Sequence, residues 1–230
     1  MNTFVVQMWC CLFKALSYAA PFKGLYAAVR MARWRKATAS CVIDAWAIGH
    51  SVLAVIALAL SRPAGRLWWE WVLLAYGMVR IIEIVVYQVN VLFFDPYRAK
   101  KQGKAYAFQG YRRVVLLALH NYAEILLWFA LWYRNNPTLF EVPTKLNLNT
   151  FCCSLYYSLT TMSTLGYGDI SPDCHKGLAL VVPQTVIGIF MTVLIFARFL
   201  ALLPKPGTMD SLEREETLET ANKAIDSDEK

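Results

Sequence analysis

The run Thr164-Leu165-Gly166-Tyr167-Gly168-Asp169 carries its chemistry in the backbone rather than in side chains. A cation stripped of water needs oxygens in place of its hydration shell, and carbonyls from symmetry-related loops can supply them. Gly166 and Gly168 have no Cβ, so they reach the left-handed conformations needed to aim successive carbonyls the same way. In a soluble chain a Gly-Tyr-Gly string reads as a turn. The flanks argue against that here, because the string lies among apolar segments of membrane-crossing length.

Upstream, Phe151 to Ser163 is apolar and hydroxylic, free of Gly, Pro and charge, and too short to cross a bilayer, which suits a re-entrant helix. The carbonyl end of such a helix is partly negative and favours a cation just beyond it. Residues 114–133 and 178–203 are apolar runs that can cross fully. The order is therefore span, half-helix, carbonyl loop, span.

This order resembles the pore module of potassium channels over residues 112–203, most sharply from Ser154 to Gly188. The family signature Thr-x-Gly-Tyr/Phe-Gly is met by Thr164, Gly166, Tyr167 and Gly168, and Tyr156 and Tyr157 stand where the family often has paired aromatics. The resemblance implies potassium sites at the carbonyls of Thr164, Leu165, Gly166 and Tyr167, with the Thr164 hydroxyl added. It implies no resident cofactor, only permeant potassium. Tyr167 would point away from the pore and brace the loop, Pro172 follows the filter, and Gly188 falls at the family's hinge position. The sequence departs at Leu165, where Val or Ile is usual, and at Thr160, where several members have a carboxylate that pairs with the filter aspartate. Asp169 then needs another partner, for which Tyr157 is a candidate, so filter support is assigned to Tyr157, Gly168 and Asp169. One loop cannot surround an ion, so four chains are required, a homotetramer unless a related subunit joins.

Composition points to lipid without the motif. A chain that is 57% hydrophobic, 14% aromatic and only 17% charged, with mean hydropathy +0.39, carries more apolar surface than a soluble domain of 230 residues hides. Spans are expected at 41–61, 67–94, 114–133 and 178–203, each near or above the roughly 20 residues a crossing helix needs. Basic residues crowd the first 40 positions and the 95–113 connection, while the opposite-side loops have few. The positive-inside rule places both termini in the cytoplasm, and the cell membrane is the natural location. The expectation is an all-α integral membrane protein with four transmembrane helices, a re-entrant pore helix and filter loop, and a tetrameric pore. Its parts are a 1–40 cytoplasmic or interfacial segment, a 41–94 transmembrane hairpin, a 95–113 basic linker, a 114–203 pore module and a 204–230 acidic tail.

The net charge of +7 divides unevenly, because the acidic tail opposes a basic remainder. Basic residues that flank spans fit topology and anionic lipid better than nucleic acid. The tail reads either as one helix over Met209–Ala221 or as disorder. Residues 3–20 lack the basic start of a signal peptide and repeat apolar residues at helical spacing, as a helix lying in the membrane interface does. Cys10 and Cys11 allow lipidation but read more simply as small apolar residues, and no spacing among the six cysteines fixes a disulfide or metal site. No nucleophile, base and orienter come together, so an enzyme is not expected.

Two further sets of residues bear on conduction. Thr185, Gly188 and Thr192 share a helical sector that continues to Phe196 and Phe199. It suits a wet cavity ending in an apolar constriction, or simply close helix packing. Pro183 cannot donate to the carbonyl of Ala179, so a kink is expected there. His50, Arg80, Glu83 and Glu124 lie at mid-depth in three spans, where ionisable groups are expensive, and are expected to form a shared polar belt. Whether it couples the hairpin to the pore or only pairs charges stays open. A lone arginine falls short of the repeated arginines of a voltage-sensing helix. A weakly selective cation pore and a non-conducting modulatory subunit are the competing readings.

Overall fold

The computed structural model describes residues 36–61, 68–94, 111–142 and 145–200, together with positions 8, 9, 11, 13 and 15. The Arg62–Arg66 turn, most of the 95–113 linker, the acidic tail and most of the interfacial N-terminal segment lie outside the described residues.

The elements in order are α1 (Lys36–Leu60), α2 (Trp68–Val89), a π-helical turn (Asn90–Phe94), α3 (Tyr111–Asn135), a 3-10 turn (Pro137–Leu139), β1 (Phe140–Glu141), α4 (Phe151–Met162), β2 (Ser171–Pro172) and α5 (His175–Leu200). Among the described residues, three helical stretches are long and apolar enough to cross a membrane: Trp68–Phe94, Arg113–Asn135 and His175–Leu200. The fourth expected span differs. In α1 the apolar stretch among the described residues is Asp44–Leu60.

Every other helix packs on α3. Its Ile125, Trp128, Phe129 and Tyr133 are fully or almost fully buried at the centre of the core. α2 approaches so closely at Gly77 that a Cβ there would lie 2.5 Å from Cε3 of the Trp128 ring. The Trp132 indole N–H donates to the Leu74 carbonyl at 3.1 Å.

The C-terminal end of α3 also closes the termini of its neighbours. A helix ends with carbonyls that have no intrahelical donor. Arg134 donates to two of these on α1, the carbonyls of Leu58 and Ala59, and to the Asn149 carbonyl, at 2.8 Å, ahead of α4. Asn135 Nδ2 reaches Ser61 Oγ at 2.7 Å. At the opposite end Arg113 pairs with Asp44 at 2.7 Å, an exposed pair of small energetic weight.

β1 and β2 form a two-stranded antiparallel clip, with Phe140 opposite Pro172 and Glu141 opposite Ser171. The clip joins the end of α3 to the start of α5, and Asp173 N–H adds a bond to the Leu139 carbonyl at 3.0 Å. Gly177 lets α5 begin against this turn, since a Cβ would lie 2.6 Å from the Leu139 oxygen.

The Gly77 contact gives the first prediction. Gly77→Ala must displace a buried indole ring rather than a flexible chain end, an overpacking expected to cost about 1–3 kcal/mol. Thermal unfolding of the purified variant should show the loss, whereas Gly49→Ala, with open space around it, should keep nearly parental stability.

Candidate functional site

α4 has 12 residues, about 18 Å at the α-helical rise, roughly half a bilayer. Thr150 starts it, accepting from Cys153 N–H at 3.3 Å and donating its hydroxyl proton to the Asn147 carbonyl at 2.9 Å. The helix ends in a paired-hydrogen-bond cap. Thr164 N–H reaches the Thr161 carbonyl at 3.2 Å and Leu165 N–H reaches the Thr160 carbonyl at 2.9 Å, the Schellman pattern. Gly166 N–H shares the Thr160 oxygen at 3.3 Å.

That cap demands a left-handed residue, and Thr164 occupies the position with φ 60°. A β-branched residue there is strained, and glycine would be the unstrained choice. Gly166 and Gly168 are also left-handed, at φ 49° and 77°, while Leu165 and Tyr167 are not. Alternating handedness turns successive N–H groups to one side and the carbonyls to the other. Here the amides of residues 164–166 face α4. Among the described residues no donor reaches the carbonyls of Thr164, Leu165, Gly166 or Tyr167.

Tyr157 was the expected partner of Asp169, and its neighbour Tyr156 takes that place instead. Tyr156 donates its hydroxyl proton to Asp169 Oδ2 at 2.7 Å, and its ring lies parallel to that of Tyr167 with centroids 6.5 Å apart. Tyr157, the expected Asp169 partner, is not that partner. Neighbouring helix positions point about 100° apart, and Tyr157 turns inward against Tyr133 and Phe140, at centroid distances of 4.7 and 5.3 Å. Thr160 does not replace the missing carboxylate either, since its hydroxyl donates to the Tyr157 carbonyl at 3.1 Å.

α5 continues through Pro183 as one helix. The expected cavity sector is divided. Gly188 is buried, and a Cβ on it would sit 2.3 Å from the Met162 carbonyl oxygen, so it is a close-packing glycine against the end of α4. Thr185 bonds the Val181 carbonyl of its own helix at 3.0 Å, and Thr192 is hydrogen-bonded to Tyr122 of α3. Phe196 and Phe199 remain on the uncovered face, with Val186, Ile189 and Val193.

The mid-depth ionisable residues meet in part. Arg80 donates from Nε to Glu124 Oε1 at 2.7 Å, from Nη2 to Glu124 Oε2 at 3.2 Å and from Nη1 to Glu83 Oε2 at 2.7 Å. All three side chains are at most 6% exposed. His50 bonds none of them directly. Its Nδ1 faces the Trp46 carbonyl at 2.7 Å and its Nε2 faces the Tyr76 hydroxyl, so it belongs to an adjoining layer.

Sequence reasoning passed over Gln184, Ser158 and Tyr133, which form a buried hydrogen-bonded chain behind α4. The signal was present, since Gln184 interrupts an otherwise apolar run as plainly as Arg80 does.

A half-helix that hands its end to a carbonyl loop, set between two crossing helices, is the pore-loop domain of a membrane channel. Residues 120–205 match the model of the family described as ion channel. This segment is therefore similar to the ion channel family over residues 120–205. No curated protein matches it.

The Tyr156 contacts give the second prediction. Tyr156→Phe keeps the ring against Tyr167 and removes the donor to Asp169. Amide exchange at Gly168 and Asp169 should quicken while the α4 amides stay protected; parental exchange at both would show that Asp169 is held by something else.

Proposed function

We propose that the chain is the subunit of a potassium-selective channel that conducts passively through a fourfold pore. The observation that carries this reading is the backbone of Thr164–Gly168, alternately handed, with the amides of residues 164–166 bound to α4 and the carbonyls of residues 164–167 free to face an ion. A single loop of this kind offers oxygens on one side of an ion only, which supports four copies around an axis. The exposure of Leu165 and Tyr167, at 59% and 68%, fits a surface that neighbouring copies cover. The ion sites are the carbonyls of Thr164, Leu165, Gly166 and Tyr167, and the aromatic pair Phe196 and Phe199 is an apolar constriction on the pore side of α5. α1 is a fourth crossing segment. Both termini are cytoplasmic, the cell membrane is the location, and the basic segments meet anionic lipid.

A weakly selective pore is the second reading, favoured by one observation. Asp169 has the Tyr156 hydroxyl where a carboxylate partner would hold it more firmly.

Purified protein in liposomes, with potassium and sodium flux compared, decides between them. Gly166→Ala and Gly168→Ala should abolish conduction or potassium selectivity in that assay. Both glycines have open space around them, so the defect would come from a backbone conformation that costs an L residue about 1–2 kcal/mol. A variant whose reversal potential still follows potassium alone would remove the loop from the ion path.

The Arg80–Glu124 pair links the α1–α2 hairpin to α3 and hence to the pore. One charge crossing the whole field yields about 2.3 kcal/mol per 100 mV, and Glu83 moving with Arg80 offsets most of it. Shallow voltage dependence is therefore expected, with Arg80 acting on opening through Glu124. Arg80→Gln, Glu124→Gln and the double variant should be non-additive in open probability by at least about 0.5 kcal/mol. Strict additivity, or a steep conductance–voltage curve in the parent, contradicts this coupling.

A further inference from the structure

Gln184 lies inside an apolar crossing helix with none of its surface exposed. Its orientation follows from partners with a single hydrogen-bonding role. The Ser158 carbonyl can only accept, so the atom facing it at 2.9 Å is the Gln184 amide nitrogen, which also donates to Ser158 Oγ at 2.8 Å. Gln184 Oε1 then accepts from the Tyr133 hydroxyl, and Ser158 Oγ donates to the Leu126 carbonyl at 2.7 Å. The donors run one way, from α3 through α5 and α4 and back to α3. Ser158 and Gln184 are fully buried, as is Tyr133, so water does not compete for any of these bonds.

The next contact between the same two helices is Gly188 on the Met162 carbonyl. Gln184 to Gly188 and Ser158 to Met162 are equal steps, one turn on each helix. The amide is a peg and the glycine a notch, and together they permit one axial register. A slide of α5 by a turn would strip the amide of its partners and press a side chain onto Met162. These two contacts span the last turns of α4, whose Thr160 carbonyl holds the Leu165 and Gly166 amides.

We propose that Gln184 is a positioning residue for the carbonyl loop, setting where α4 delivers its end by fixing the register between α4 and α5. Its effect on ion selection rests on the potassium-channel reading above; its effect on the loop's backbone does not. The competing role is adhesive only, in which the buried bonds hold helices together without placing the loop.

Two readouts separate these roles in the assembled protein in potassium-containing liposomes: amide hydrogen exchange at Leu165 and Gly166, and the potassium-to-sodium permeability ratio. Gln184→Met keeps volume and removes the amide, and Tyr133→Phe removes one donor at constant shape. In Gln184→Met, exchange at Leu165 and Gly166 should quicken about tenfold and the permeability ratio fall by a similar factor, given what an unmade buried bond costs. The double variant should be no worse than Gln184→Met alone, since both act through one chain of bonds. Should Gln184→Met not assemble, Tyr133→Phe and Ser158→Ala decide by the same two readouts. Parental exchange in variants whose only defect is thermal stability would overturn the proposal in favour of the adhesive role. A parent protein that passes sodium as readily as potassium would instead overturn the channel reading, and loop exchange would still decide the role of Gln184.

Discussion

Everything in this structure answers to one constraint: backbone carbonyls at membrane depth need donors, and the four from Thr164 to Tyr167 receive none from the described chain. The long helices satisfy themselves. The loop can be held only from its amide side, and α4 does this with a capped end. Alternating handedness is what makes the arrangement possible, because it separates the two sets of polar groups. Thr164 pays for it with a strained conformation that glycine would have relieved. Its retention there is consistent with a use for the hydroxyl.

The remaining architecture holds α4 at the right depth and angle. α3 is the common wall, and its side chains reach outward in different chemical ways. Trp128 is met by the bare backbone of Gly77, Arg134 closes the end of α1, and Glu124 takes the Arg80 guanidinium from α2. A buried ion pair is weak evidence for net stability, since desolvation offsets much of the attraction. The two bonds from Arg80 to Glu124 tie α2 to α3 at one place.

The glycines show how one residue type serves opposite needs. Gly166 and Gly168 sit in open space and are required by positive φ. Gly77, Gly177 and Gly188 have no such conformation and are required by close approach, to an indole ring, a turn carbonyl and the end of α4 respectively. Gly188 was expected at a hinge facing the pore. Its burial against Met162 makes it part of the same register contact as Gln184, which is a packing role first.

Local pattern was enough to mark three long apolar helices, the short helix Phe151–Met162 and the loop with glycines at alternate positions. Each depends on short-range properties, namely apolar length, absence of charge, and glycines at alternate positions. The meeting of Arg80 with Glu124 could also be anticipated, since the cost of a buried charge demands a partner at the same depth. What tertiary structure alone decided were the choices among neighbours. Tyr156 rather than Tyr157 faces Asp169 because of the rotation of α4 about its axis, which depends on what the other face packs against. Gly188 turned inward and the Gln184 chain depend likewise on how several helices sit together. A linear pattern states which groups need partners; the three-dimensional packing chooses them, because partner choice turns on distances and angles between elements far apart in the chain.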